Sequence, residues 1–291
     1  IGLCLVGSEM CIRDSGIGDL KGITQKIDYI SSLGVDAIWL SPFFVSPMKD
    51  MGYDVRNYTE IDPLFGTMQD FDNLVSVAHK KNLKIIIDQV LSHSSDQHEA
   101  FINSKSSKNS DKSDWYVWAD PKTDGSPPNN WLSVFGGSAW EWEPVRGQYY
   151  FHNFLPSQPD FNFHNQDVQN YLLEVVKFWL EKGVDGFRLD TANFYFHDKK
   201  FRDNPKSPIK FKRPPINPYY MQNQLFAINQ PENLKFLNKF RKLLNSYPEK
   251  MSVGEIGDSH RAIEIMQNYT KSTRLHLSLI HISEPTRQSP I

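Results

Sequence analysis

A buried-looking strand carries two charges where apolar residues would be expected. The stretch Gly186-Phe187-Arg188-Leu189-Asp190-Thr191-Ala192-Asn193-Phe194 follows a helical pattern and a glycine stop. Residues two apart on a strand share a face, so Arg188 and Asp190 point the same way. A charge pair at a strand end costs free energy unless it is paired or used, and a structural salt bridge and a reactive site are equal readings of this segment alone. Further polar groups stand at or after the ends of other apolar runs: Asp54 in Met51-Gly52-Tyr53-Asp54, Asp88 and His93 after Lys84-Ile85-Ile86-Ile87, and Glu255 after Met251-Ser252-Val253-Gly254. Two carboxylates on neighbouring strands, Asp190 and Glu255, are the minimum set for cleaving an acetal: one ionised beside the reacting carbon, the other protonated to release the leaving oxygen. Arg188 is expected to keep Asp190 ionised. Glu255 has no nearby basic residue before it, which is compatible with a raised pKa.

These residues need elements to bring them together. Leu20, Ile23, Ile27 and Ile30 predict a helix over 20–33, with Gly34 as its stop. A short strand over 35–40 follows, closed by Ser41-Pro42. Thr67 and Asp70 form a capping-box-like start for a helix to about residue 81, ahead of a strand over 84–90. The pattern then breaks for about seventy residues punctuated by Trp115, Trp118, Trp131, Trp140 and Trp142, too long for a structureless loop in a compact domain. We read it as an inserted subdomain, with Trp140 and Trp142 in its core. Helical spacing resumes at Leu172, Val175, Val176 and Trp179, with Asn165 as cap and Gly183 as stop. The Arg188 strand, a Pro- and Lys-rich loop, a helix near 234–244, a strand over 251–256 and a helix from about 261 complete the order. Repeated βα units without a Gly-rich phosphate loop predict an α/β chain, a partial (β/α)8 TIM barrel with the irregular subdomain inserted after the 84–90 strand. Strand C-terminal ends converge on one mouth of such a barrel, so these distant polar residues are expected to share a pocket.

Neither end continues this pattern. Residues 1–15 and 277–291 resemble translated sequencing-adapter sequence and are set aside as probable artefact. The expected organisation is barrel over 16–93, inserted subdomain over 94–164, and barrel again over 165–276, with the barrel truncated. The only cysteines, Cys4 and Cys11, lie in the first of the two end stretches, so no disulfide framework or cysteine metal site is expected in the rest. At 39% hydrophobic and 23% charged residues the composition is that of a globular protein. A net charge of −2 without a long basic run gives no reason to expect nucleic acid or membrane as partner, and a cytoplasmic location is expected.

Four ordered segments, Asp88-Gln-Val-Leu-Ser-His93, Gln158-Pro-Asp-Phe-Asn162, Gly186-Phe-Arg-Leu-Asp190 and Val253-Gly-Glu255, resemble the conserved regions of the α-amylase superfamily, glycoside hydrolase family 13. Gly52-Tyr-Asp54 and Asn193-Phe-Tyr-Phe-His-Asp198 extend the likeness toward bacterial α-glucosidases, over residues 16–274. The resemblance implies a retaining α-glucosidase acting on maltose-like oligosaccharides or small α-glucosides. Asp190 would be the nucleophile and Glu255 the general acid/base. Arg188, His93 and Asp54 would line the subsite of the nonreducing glucose, Asp88 would be structural, and Phe135 and Phe154 would form an aromatic wall. Thr191, after the nucleophile, suggests α-1,4 over α-1,6 linkages. No cofactor is implied as required; a structural calcium or magnesium is conceivable only near Asp19 and the Ile17 carbonyl. The family's third acid would follow a later strand. Ser92 departs from the asparagine common at that position. The alternatives are a transglycosylase or isomerase of the same fold, or a non-catalytic amylase-like scaffold, which the presence of both carboxylates disfavours.

Overall fold

A computed structural model of the chain describes residues 3–5, 17–258 and 261–280. Its centre is a six-stranded parallel sheet formed by β1 (Leu3–Leu5), β2 (Ala37–Leu40), β5 (Lys84–Gln89), β9 (Gly186–Leu189), β10 (Met251–Ile256) and β11 (Leu277–Ile280), adjacent in that order. Helices link the strands: α1 (Leu20–Gln25) and α2 (Ile27–Ser32) precede β2, α3 (Met68–Lys80) precedes β5, α5 (Gln166–Glu181) precedes β9, α6 (Asn233–Asn245) precedes β10, and α7 (Ala262–Tyr269) precedes β11. This is the partial (β/α)8 barrel expected from the sequence.

Two strands were not expected. β1 and β11 both fall in the stretches set aside, where residues 3–5 pair with β2 and 277–280 with β10. A parallel sheet edge presents unpaired backbone groups that any short apolar segment can satisfy, so four strands become six. The remaining residues of those stretches, Cys11 among them, lie outside the described residues.

The helices follow their sequence signals, with one correction. Thr67 accepts from the Asp70 amide while Asp70 accepts from the Thr67 amide, a complete capping box on α3. Asn165 caps α5 through the Asp167 amide. The single helix expected over 20–33 is instead two short ones meeting at Lys26, whose ψ is near 4°. The Thr24 hydroxyl bonds back to the Leu20 carbonyl, a contact that bends helices.

The region after β5 builds its own layer. It holds α4 (Glu99–Ser106) and a three-stranded antiparallel sheet of β6 (Trp118–Ala119), β8 (Gln148–Phe151) and β7 (Trp140–Glu143), with β8 in the middle. Trp131 stacks on Trp140 in its core, and both pack on Phe151. Trp142, expected in that core, is 41% exposed and rests against Tyr149: it shares the face of Trp140 but lies one pair from the turn end of the β7–β8 hairpin, outside the cluster of Trp131, Trp140 and Phe151. A small hairpin of β3 (Phe44–Val45) and β4 (Asn57–Ile61), not legible in the sequence, holds the loop that contains Asp54. Among the described residues no helix is long and apolar enough to cross a membrane.

Candidate active site

Register places the carboxylates. Asp88 is opposite Arg188 across β5 and β9, and Val253 is opposite Arg188 across β9 and β10, so these three share the face of the sheet from which Asp190 and Glu255 also project, each two residues further on. Beyond the end of β9 the backbone continues between its neighbours: the Asp190 amide donates to Gln89 O at 3.1 Å and the Ala192 amide to Glu255 O at 2.8 Å. Two glycines let the strands approach. A Cβ on Gly186 would lie 2.7 Å from the Met251 carbonyl oxygen, and one on Gly254 would lie 2.3 Å from a methyl of Leu275. Thr191 turns the chain away at φ +40°, a conformation that a β-branched residue rarely adopts and that marks functional backbone.

Arg188 is the hub. Its Nη1 donates to Asp88 Oδ1 at 2.7 Å and Asp190 Oδ1 at 2.8 Å, and its Nη2 to Glu255 Oε2 at 2.5 Å. The guanidinium also lies 5.1 Å from the Trp39 ring centre and 5.8 Å from that of Tyr53. Arg188, Asp88, Asp190 and Glu255 are all buried. One guanidinium faces three carboxylates, and two of these, Asp88 and Asp190, retain protons more tightly than free carboxylates do. Burial pushes Asp88 up to about 6, with Arg188 opposing and Glu255 adding to the shift. Burial likewise raises Asp190 well above the usual carboxylate range, Arg188 opposes, and Asp88 and Glu255 raise it further. Arg188 thus favours the ionised form of Asp190, as expected, but it does so against burial and with its one positive charge divided among three acids. Burial works against the charge of Arg188 itself, yet the surrounding carboxylates, Asp88 first, hold its proton more firmly than usual.

The other expected residues divide. His93 is buried beside the cluster: Ser92 Oγ lies 2.8 Å from its Nδ1, and the Tyr53 carbonyl and Gln158 Nε2 each lie 3.1 Å from its Nε2. Burial lowers its pKa to about 4, so the ring is neutral near pH 7. Thr191 Oγ1 donates to Asp190 Oδ2 at 3.2 Å, and the Thr191 amide points at Glu255 Oε2 at 3.4 Å. Phe154 packs on His93 at 5.1 Å and on Phe194, while Phe135, 55% exposed, stands edge-on to Phe154 at the rim. Asp54 is placed differently from the others. Its carboxylate accepts from the Ser46 hydroxyl and from the amides of Lys49 and Asp50, which clasps the loop below Tyr53. Asp19 caps α1 through the Gly22 amide at 2.6 Å, so one of its oxygens is spent on the helix, and the described residues hold no group of three or more metal-ligating side chains.

Three contributors escaped the sequence reading. Tyr53 lies inside a quoted motif, yet only the structure shows its hydroxyl donating to Asp88 Oδ2 at 3.2 Å and accepting from Arg188 at 3.4 Å. Trp39 is the next-to-last residue of β2 and shares the hub's face by strand alternation, a signal available in the sequence. Gln158 bridges Asp50 to His93, a contact between three distant segments that no local pattern encodes.

The arrangement holds two acids beside each other with one donor to both, under an aromatic wall. Comparison with known proteins agrees with it. The family profile described as the catalytic domain of alpha amylase matches residues 12–286. A probable alpha-glucosidase of Rhizobium meliloti is 58% identical over 259 residues, 88% of this chain and 47% of that protein. An oligo-1,6-glucosidase of Heyndrickxia coagulans is 42% identical, over 91% of this chain and 46% of its own length. Among solved structures, an alpha-glucosyl transfer enzyme, XgtA, superposes with a TM-score of 0.91 at 52% identity, over 95% of this chain and 53% of that one. The chain thus spans about half the length of these relatives.

Proposed function

This chain belongs to the alpha-amylase catalytic-domain family, and on that premise we propose that it carries the nucleophile and the acid/base of a retaining α-glucosidase that removes terminal α-1,4-linked glucose from short oligosaccharides. The observation that carries the reading is the pairing of Asp190 and Glu255 on adjacent parallel strands, both held by Arg188. Asp190 attacks the anomeric carbon and forms a glucosyl ester while Glu255 gives its proton to the departing oxygen. Glu255 then takes a proton from the water that opens the ester. Glu255 is the protonated member of the pair, and Arg188 and the Thr191 hydroxyl stabilise the ionised nucleophile. Phe154 and Phe135 offer an apolar wall to a sugar ring, and Asp88 and Asp54 serve as supports, one for Arg188 and the other for the Tyr53 loop.

The experiment is hydrolysis of maltose by the protein that contains this chain, followed by NMR of the first product. α-Glucose is expected, and Glu255→Gln should lower turnover by about 10²- to 10⁴-fold. β-Glucose as first product would overturn the mechanism. The linkage preference rests on Thr191 and is lost if isomaltose is cleaved as fast as maltose. A second reading, transfer of glucose to an acceptor other than water, is favoured by the likeness to the alpha-glucosyl transfer enzyme, and products longer than maltose would establish it. A cytoplasmic location belongs to the same proposal; it rests on the cysteine-free sequence between residues 16 and 276, and cell fractionation tests it.

A further inference from the structure

Behind the nucleophile runs a line of hydroxyls whose direction can be worked out. Asp190 is ionised in its role as nucleophile, with Arg188 donating to its Oδ1, and an ionised carboxylate only accepts hydrogen bonds, so the contact at 3.2 Å between Thr191 Oγ1 and Asp190 Oδ2 uses the threonine's single proton. Thr191 can then only accept from Ser92 Oγ, 3.2 Å away. That in turn uses the serine's proton, so Ser92 must accept from its other neighbour, His93 Nδ1, at 2.8 Å. The same result comes from the opposite side of the ring. Gln158 has its orientation fixed twice: its Oε1 accepts from the Leu155 amide at 3.0 Å and its Nε2 donates to Asp50 Oδ2 at 2.8 Å. The remaining amide proton faces His93 Nε2 at 3.1 Å and requires a lone pair there. The competing tautomer, protonated on Nε2, would donate to the Tyr53 carbonyl at 3.1 Å. It would set two N–H groups against each other at Gln158 and leave Thr191 unable to serve both Ser92 and Asp190. The Nδ1–H form turns four of these contacts into hydrogen bonds, the Nε2–H form three.

We propose that His93 is held as the Nδ1–H tautomer by a one-way chain, His93 Nδ1–H to Ser92 to Thr191 to Asp190, and that Ser92 and Thr191 are the positioning residues that couple this histidine to the nucleophile. The serine at 92 is then matched to the threonine at 191, for only a side chain that both accepts and donates can stand between an N–H and a second hydroxyl. This deepens the proposed function through Asp190 but is read without any turnover.

The test is nitrogen NMR of the 15N-histidine-labelled protein at neutral pH, with the His93 signals identified by their loss in His93→Gln. Protonated Nδ1 and bare Nε2 are expected. Thr191→Val does not alter a group bonded to the ring, yet it removes two of the four hydrogen bonds of the Nδ1–H form and frees the Ser92 proton to point at Nδ1, so the two forms tie at two bonds each and the Nε2–H form should become populated. Ser92→Ala should do the same, and Thr191→Ser should keep the original tautomer. An Nε2–H wild type, or a Thr191→Val protein with unchanged nitrogens, overturns the proposal. Should Thr191→Val fold poorly, the wild type and Thr191→Ser decide alone. Absence of glucosidase activity would sink the proposed function and leave these signals where they are, so the two failures are distinguishable.

Discussion

Arg188 carries the largest electrostatic load of any single side chain at the site. Three buried carboxylates lean on it, and removing it leaves them uncompensated. Arg188→Met should therefore lower stability by about 3–5 kcal/mol, measured by urea unfolding near pH 7, where the carboxylates most need the charge. Proton affinity gives two further expectations of opposite sign. Asp88, raised to about 6 in the folded state from an ordinary 3.8, binds protons more tightly folded than unfolded. Its contribution is complete below about pH 4 and is lost as pH rises through 6, at up to about 1.4 kcal/mol per pH unit. Asp88→Asn should remove that decline. His98, lowered by burial from 6.5 to about 4, acts the other way: its contribution is present above about 6.5 and is lost as pH falls through 4. It accepts from the Ala100 amide as the cap of α4, so His98→Asn, which can still cap, should flatten the rise in stability between pH 4 and 6.5 without losing the helix. Unfolding midpoints at several pH values check both.

At the scale of elements, the site depends on how closely β9 and β10 approach. Gly186→Ala would push a methyl to 2.7 Å from the Met251 carbonyl oxygen, which is backbone and cannot swing aside. The expected loss is about 1–3 kcal/mol, measured by denaturant unfolding, with Asp190 and Glu255 displaced relative to each other. Thr67→Ala should cost about 1 kcal/mol, the ordinary value of an N-cap, with no change at the site. The elements themselves were largely legible. The spacing of Leu172, Val175, Val176 and Trp179 gave α5, and the strands over 84–90 and 251–256 appear as β5 and β10 within one residue. The break at Lys26 was not legible, because the apolar spacing runs through it unbroken and only the Thr24 back-bond interrupts the helix. The β3–β4 hairpin was hidden because its first strand is only two residues long.

Across the whole molecule, the sheet among the described residues ends at β1 and β11. β11 shows Leu277 and Leu279 exposed at 43% and 42% on one face. A parallel edge with apolar side chains is a template for another strand, so the isolated chain should self-associate, and Leu279→Lys should reduce it. Light scattering against concentration checks this, and a monodisperse wild type would contradict it.

The sequence by itself determined which groups could react. Arg188, Asp190 and Glu255 sit at strand ends because alternation and strand length are local properties, and the order of strands and helices implied that those ends meet. What only tertiary structure decided was partnership. That Arg188 serves three acids, that Asp54 clasps a loop, and that Ser92 joins Thr191 to His93 are contacts between residues up to about a hundred positions apart. No local pattern specifies them, because a hydrogen bond depends on where two segments come to rest. The proton affinity of Asp190 is the clearest case. One neighbouring arginine was expected to favour its ionised form, and burial with two further carboxylates works against that arginine, since desolvation and distant charges exist only once the chain has folded.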